Sequence, residues 1–451
     1  MKRTLAFGGI AAGLLASAAI AAPAHADSVP SVNLANTNLA AQQVAQYWLG
    51  QAKANLVNAT PYTAETTVSA KHVSTGGASA DDKAGVVGSS GDKKATTGTS
   101  KNVNLPKTTG KVFFTGADGK PHWCSATALQ SQYKNVVATA GHCVYDTKSN
   151  ATTLDNWVFV PGYYQGKTPW GIYVGKTAYT HYDYSVYEDG DRDYAFVTVY
   201  NGVIPTDGGT NGRLVSKFFK SKKDAYAYKA KLEADKTTGW SKLAVEPVYA
   251  QSGKGDDHGD HRGDHRGDNR GDHRGDNRGD HRSDDRGRGN NWGKTIVGYK
   301  VVGAKLAIGL KDVGTLGSNV GGQGLAYNQK VGTAVFEFGY PSGSHPDGNY
   351  AFTGKTLKWA YGKTFKASAA SMKAEELVGI KSSFTGEGAI GSSWLYRYSS
   401  TKRLGYLNGV TIAVSDTDGN GRIDTSVSPY FDGETLAVYK TAQANWSGKI
   451  V

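Results

Sequence analysis

Residues 123–146, WCSATALQSQYKNVVATAGHCVYD, decide how this chain is read. The β-branched run Asn135-Val136-Val137-Ala138 reads as a strand that delivers His142 into a tight Thr-Ala-Gly-His-Cys turn. Cys143 follows immediately, and Cys124 lies nineteen residues before it; the chain has no other cysteine. Two cysteines exclude a disulfide-dense scaffold and a four-cysteine zinc site. In an oxidising compartment they can form one disulfide.

The pattern continues on both sides of this stretch. Short β-branched and aromatic runs recur between turn signals: Val112-Phe113-Phe114, Trp157 to Val160, Tyr194 to Tyr200, Thr295 to Val302, Ala334 to Phe338 and Val410 to Val414. With 59 glycines in 451 residues and 11% aromatics, this is an all-β pattern suited to a barrel or sandwich. One stretch departs from it: residues 216–236 read as a basic amphipathic helix with a solvated lysine face.

The TAGHC turn with its placed partner cysteine resembles the chymotrypsin-like (trypsin-fold) serine proteases, in particular the secreted bacterial branch related to glutamyl endopeptidases. The resemblance implies that His142 is the general base and that a Cys124–Cys143 disulfide holds its loop. Arg192-Asp193-Tyr194-Ala195-Phe196-Val197, fifty-one residues after His142, resembles the aspartate-plus-strand motif of that family. Asp193 would orient the imidazole and stabilise its cation, with Asp191 as the neighbouring competitor on the turn side. Phe338-Gly339-Tyr340-Pro341, residues 357–362, residues 405–410 and Ser428-Pro429-Tyr430-Phe431 match further strands of the pattern. Many relatives pair a cysteine at the Ala360 position with one near Ser382-Ser383, and here both are missing together. The implied fold is all-β: two six-stranded antiparallel barrels with a helical insertion and a disordered repeat loop.

The pattern breaks at the nucleophile. The family carries Gly-x-Ser-Gly-Gly-Pro, often followed by Trp-Leu; this chain reads Gly388-Ala389-Ile390-Gly391-Ser392-Ser393-Trp394-Leu395. Aligned on Gly388, Gly391 and Trp394, the serine position is Ile390, which cannot attack a carbonyl. Losing that serine costs about 10⁶-fold in turnover. A register shift would make Ser392 the nucleophile, though bulky residues follow it where the family has small ones. The Gly388 and Ile390 amides can still form an oxyanion-type, anion-accepting nest.

The remaining segments read as appendages. Lys2 and Arg3, an apolar run to about Ala22 and Ala24-His25-Ala26 make residues 1–26 a secretory signal peptide, which implies an extracellular protein. Residues 27–110 hold a helix from Asn38 to about Asn58, with Asn36 or Thr37 as its cap. A low-complexity linker over residues 73–110 follows, and the whole is either a pro-segment or a spacer. The protease-like domain is residues 111–451.

Within it, residues 253–292 form a disordered insertion built on Gly-Asp-His/Asn-Arg repeats. Its histidines His258, His261, His265, His273 and His281 offer at most weak Zn²⁺ or Cu²⁺ binding. Asp416, Asp418, Asn420 and Asp424 resemble the first nine positions of a calcium loop, but Val427 stands where the bidentate acid belongs. No cofactor is required, and Ca²⁺ is a candidate ion for this loop.

The formal net charge is +12, which favours acidic partners such as an anionic cell-wall polymer. No nucleic-acid motif is present, and after signal removal no apolar run is long enough to span a membrane. The chain is expected to be a monomer. Three functions fit: a non-hydrolytic, peptide-binding protease homologue; an active serine endopeptidase using Ser392; and a cell-surface or cell-wall interaction protein.

Overall fold

Every residue from Thr109 to Phe114 is buried, and the alternation along that strand shows why. Val112 and Phe114 fill the interior of a barrel, while Phe113 faces outward into a second apolar cluster beneath the helix Asn38–Val57. A strand covered on both faces reads as a continuous apolar run instead of an alternating one. The structure is a computed structural model describing residues 29–62, 78–93, 100–145, 154–206, 214–234, 241–251, 294–304 and 309–451. The expected signal peptide and the Gly-Asp-His-Arg repeat with its five histidines lie outside the described residues.

Six strands close the first barrel. Thr109–Thr115 pairs with Pro121–Leu129, then Val136–Thr139, Ala195–Val199, Tyr173–Thr180 and Asp155–Pro161, which returns to Thr109–Thr115. Every pairing in the ring is antiparallel, and Ser31–Asn33 and Thr60–Pro61 add to strand segments that the ring leaves unpaired. Phe114, Phe159 and Phe196 are fully buried in the core. The Asn38–Val57 helix is capped by the Thr37 side chain and packs on the outside through Trp48, whose ring centroid lies 5.5 Å from that of Phe113.

The second half is mostly strands, with the helix Gly433–Gln443 packed on the core, and is not closed by hydrogen bonds as the expected second barrel would be. It contains a six-stranded sheet, in the order Lys358–Lys363, Ala334–Gly339, Ser393–Ser399, Leu404–Val410, Gly324–Tyr327 and Gly85–Val87. A four-stranded sheet of Phe365–Ala369, Ala374–Lys381, Thr425–Pro429 and Ala413–Ser415 faces it. One pairing, Gly324–Tyr327 with Leu404–Val410, is parallel. The two sheets meet by packing: a Cβ on Gly362 would stand 3.2 Å from Ile380 Cβ. The run expected as one strand from Val410 to Val414 is likewise divided between the sheets, with Thr411 and Ile412 at the crossing.

Two further expectations change. Residues 216–219 are not helical; they belong to the strand Leu214–Phe219, which pairs with Lys294–Ala304, and the helix is Lys222–Ala234. Phe218 and Phe219 favour the ladder over the helix. Part of the 73–110 stretch expected as a linker is packed. Ala78 is buried among Val335, Trp394 and Ile380, and Gly85–Val87 pairs with Gly324–Tyr327. Those few contacts lie far away in sequence, so local composition does not reveal them.

Candidate active site

His142 lies in the short 3-10 turn Gly141–Cys143, immediately after the strand Val136–Thr139. Its turn is fixed from several sides. Cys143 is bonded to Cys124 of the neighbouring strand, and the Cys143 carbonyl accepts from the Trp157 indole N–H at 3.0 Å. Gly141 is required by close approach: a Cβ there would stand 2.5 Å from the Tyr184 ring and 2.9 Å from Asp193 Oδ1.

Asp193 follows the 3-10 turn Gly190–Arg192 and precedes the strand Ala195–Val199. It grips the histidine twice. Oδ1 accepts from the His142 backbone N–H at 3.0 Å, and Oδ2 lies 2.6 Å from Nδ1. Both side chains are nearly fully buried, at 4% and 1% exposure. This pairing fixes Nδ1 as the protonated nitrogen and leaves Nε2 as the basic one.

Asp191 has a different task. Its carboxylate oxygens accept from the backbone N–H groups of Glu375 and Glu376, both at 2.8 Å, tying the turn to the second half. Burial pushes its carboxyl up to about 6, against the lowering effect of those two N–H groups. Arg192 turns outward to Glu434 at 2.5 Å.

The segment 386–392 is stitched to the first barrel through Ser125. Ser125 N–H donates to the Ile390 carbonyl at 2.8 Å, and Ser125 Oγ donates to the Gly388 carbonyl at 2.8 Å. Ser125 Oγ also accepts from Tyr340 N–H at 2.9 Å, and Gly391 N–H donates to the Thr411 carbonyl at 2.7 Å. Gly388 sits at φ +70°, where a Cβ would stand 2.1 Å from the Trp123 ring. Gly391 sits at φ +82°, with its Cβ position 2.0 Å from the Ser125 carbonyl. Only glycine meets both demands at either position.

Ile390 is 1% exposed and belongs to the main core cluster. Ser392 is fully buried; its Oγ donates to the Ala389 carbonyl at 2.5 Å, and its N–H donates to the same carbonyl at 2.8 Å. Among the described residues no hydrogen bond joins Ser392 to His142. The structure therefore brings His142 and Asp193 together and places the Ser392 hydroxyl elsewhere.

In the resembled calcium loop, Asp416 accepts from the N–H groups of Gly419, Asn420 and Gly421. Asp418 accepts from Asn420, and Asp424 receives Lys381 Nζ at 2.6 Å. The loop's oxygens are thus turned onto its own N–H groups and a lysine. Among the described residues no cluster of three or more His, Cys, Asp or Glu side chains is placed to hold a metal ion.

The sequence did not point to Tyr62. Its ring centroid lies 6.4 Å from that of His142, and no local signal in Thr60-Pro61-Tyr62 marks the contact. Lys111 was also missed. It is buried, with Nζ 3.1 Å from the Trp123 ring centroid and 4.4 Å from that of Tyr163.

The first half is thus a closed antiparallel six-stranded barrel carrying a buried His–Asp pair, and the second half is built of two packed β-sheets. No protein-family model matches the sequence, and no curated protein matches it. Among solved structures the chain is similar to the protease Anisep from Arthrobacter nicotinovorans, at 20% identity over 76% of this chain and 98% of that one, TM-score 0.43. A thermostable serine protease, AL20, from an extremophilic microorganism matches at 18% identity over 75% and 98%, TM-score 0.44. A Glu endopeptidase in complex with MPD matches at 13% identity over 78% and 99%, TM-score 0.38.

Proposed function

We propose that this chain is a secreted protease homologue that binds extended peptides without cleaving them. The observation that carries the reading is the contrast between the two halves of the site. His142 and Asp193 keep the geometry of a base and its orienting acid, whereas position 390 holds a buried isoleucine and the Ser392 hydroxyl is bonded to Ala389. A base without a nucleophile leaves binding and amide polarisation as the remaining capacities. In support of export, the cysteines are paired, and among the described residues no helix is long and apolar enough to cross a membrane.

The test is labelling of the purified, disulfide-bonded protein with a fluorophosphonate beside a His142→Ala control. No labelling of either protein is expected. Stoichiometric labelling of the wild type, lost in the control and mapped to Ser392, would replace this reading with an active endopeptidase.

A further inference from the structure

The N-terminal segment reaches the candidate site. Ser31–Asn33 pairs with the barrel strand Tyr173–Thr180, and the Asn38–Val57 helix follows. That helix is held by Trp48, which is fully buried and donates its indole N–H to the Asn156 carbonyl at 2.5 Å. Beyond it, Thr60–Pro61 lies parallel to His122 and Trp123. Tyr62 N–H donates to the Trp123 carbonyl at 2.9 Å. The Tyr62 ring stands edge-on to Phe114 at 5.1 Å and to His122 at 5.7 Å, and 6.4 Å from His142.

Extended peptides dock to a protein edge through main-chain hydrogen bonds and place alternate side chains in pockets. Residues 60–62 pair with 122–123 through the main chain, and the Tyr62 ring packs among Phe114, His122 and His142. We infer that Thr60-Pro61-Tyr62 is a built-in occupant of the His142 cleft, so that a peptide ligand binds there by displacing it. The inference rests on the peptide-binding reading above.

Its anchoring and its contact differ in extent. The helix contributes core side chains and holds the tripeptide next to the cleft, which gives it a high effective concentration. The contact itself is short. Pro61 has no N–H to donate, Thr60 is exposed with its Oγ1 3.0 Å from His122 Nδ1, and Tyr62 N–H donates to the Trp123 carbonyl. A segment anchored by its helix and ending in a three-residue contact is suited to local displacement while the fold stays intact.

The experiment uses the full chain and a fluorescein-labelled, amidated peptide copy of residues 55–62, NLVNATPY. Tyr62→Pro removes both the N–H donor and the ring; Tyr62→Ala serves if the proline variant does not fold, and Tyr62→Phe keeps both features. If the tripeptide occupies the cleft about 90% of the time, the peptide binds the proline or alanine variant about tenfold more tightly than the wild type or Tyr62→Phe. Carbethoxylation of His142 by diethyl pyrocarbonate, read by peptide mapping against His181, should rise in the same variants. Unchanged His142 reactivity and unchanged peptide affinity would overturn the inference. Raised reactivity with no peptide binding would keep residues 60–62 as the cover of His142 and count against the peptide-binding reading instead.

Discussion

The Ser392 hydroxyl lies over the Cα of Gly339: a Cβ built on Gly339 would stand 1.7 Å from that oxygen. The two residues meet because the 386–392 segment folds its last serine against the Ala334–Gly339 strand, where Ser392 Oγ finds the Ala389 carbonyl. Any side chain at position 339 would force Ser392 out. That contact gives Ser392 a packing role, and it shapes the first prediction.

Ser392→Ala should leave fluorophosphonate reactivity unchanged and lower stability by about 1 kcal/mol, the net worth of a buried hydroxyl hydrogen bond. Ile390→Ser should install labelling that His142→Ala abolishes, because His142 and Asp193 are already paired. Loss of a buried aliphatic side chain will lower the stability of that variant by about 2–5 kcal/mol, so labelling belongs below its thermal midpoint. Denaturation in urea and adduct mapping read both effects.

Asp191 supplies a pH test. Its folded carboxyl titrates at about 6, above the ordinary value of about 4, so the folded state holds the proton more tightly than the unfolded one. Wild-type stability from this group should therefore fall as pH rises from about 4 to about 6 and then level off. Asp191→Asn removes that slope. Thermal midpoints of the two proteins across this range give the comparison; a constant difference would refute the assignment.

Lys111 is a buried amine with aromatic rings for neighbours, and burial pushes it well below its ordinary value. The unfolded lysine stays charged to about pH 10.4, so burying it opposes folding at neutral pH, and the opposition fades as pH rises toward that value. Lys111→Met fills similar space without the charge. It should stabilise the fold by on the order of 1 kcal/mol at pH 7, after allowance for the lost cation–π contact. The gain should shrink toward pH 10.

Glu337 is fully buried directly opposite Ala360 in the sheet. It accepts from Ser382 Oγ and Thr411 Oγ1, each at 2.5 Å, and from Ser426 Oγ at 3.2 Å. Burial raises its carboxyl despite these hydroxyl donors. The folded state thus favours the protonated form, and its contribution to stability falls as pH rises above the unfolded value of about 4.3. Glu337→Ala should cost about 2–4 kcal/mol, and Glu337→Gln less, with a flatter pH profile. Chemical denaturation at two pH values distinguishes the three proteins.

The sequence by itself determined what local chemistry encodes. The TAGHC turn, the order of His142 before Asp193 and most strands of the first barrel are readable because each depends on a few adjacent residues. The break at Ile390 is readable for the same reason. Only the tertiary structure decided between Asp193 and Asp191, since both precede one strand and the choice turns on which carboxylate faces His142 across fifty-one residues. It also turned the Ser392 hydroxyl onto Ala389, left the second half as two packed sheets, drew residues 78–87 into the fold and set Tyr62 beside His142. Those outcomes depend on register and close approach between distant segments, which no short stretch of sequence carries.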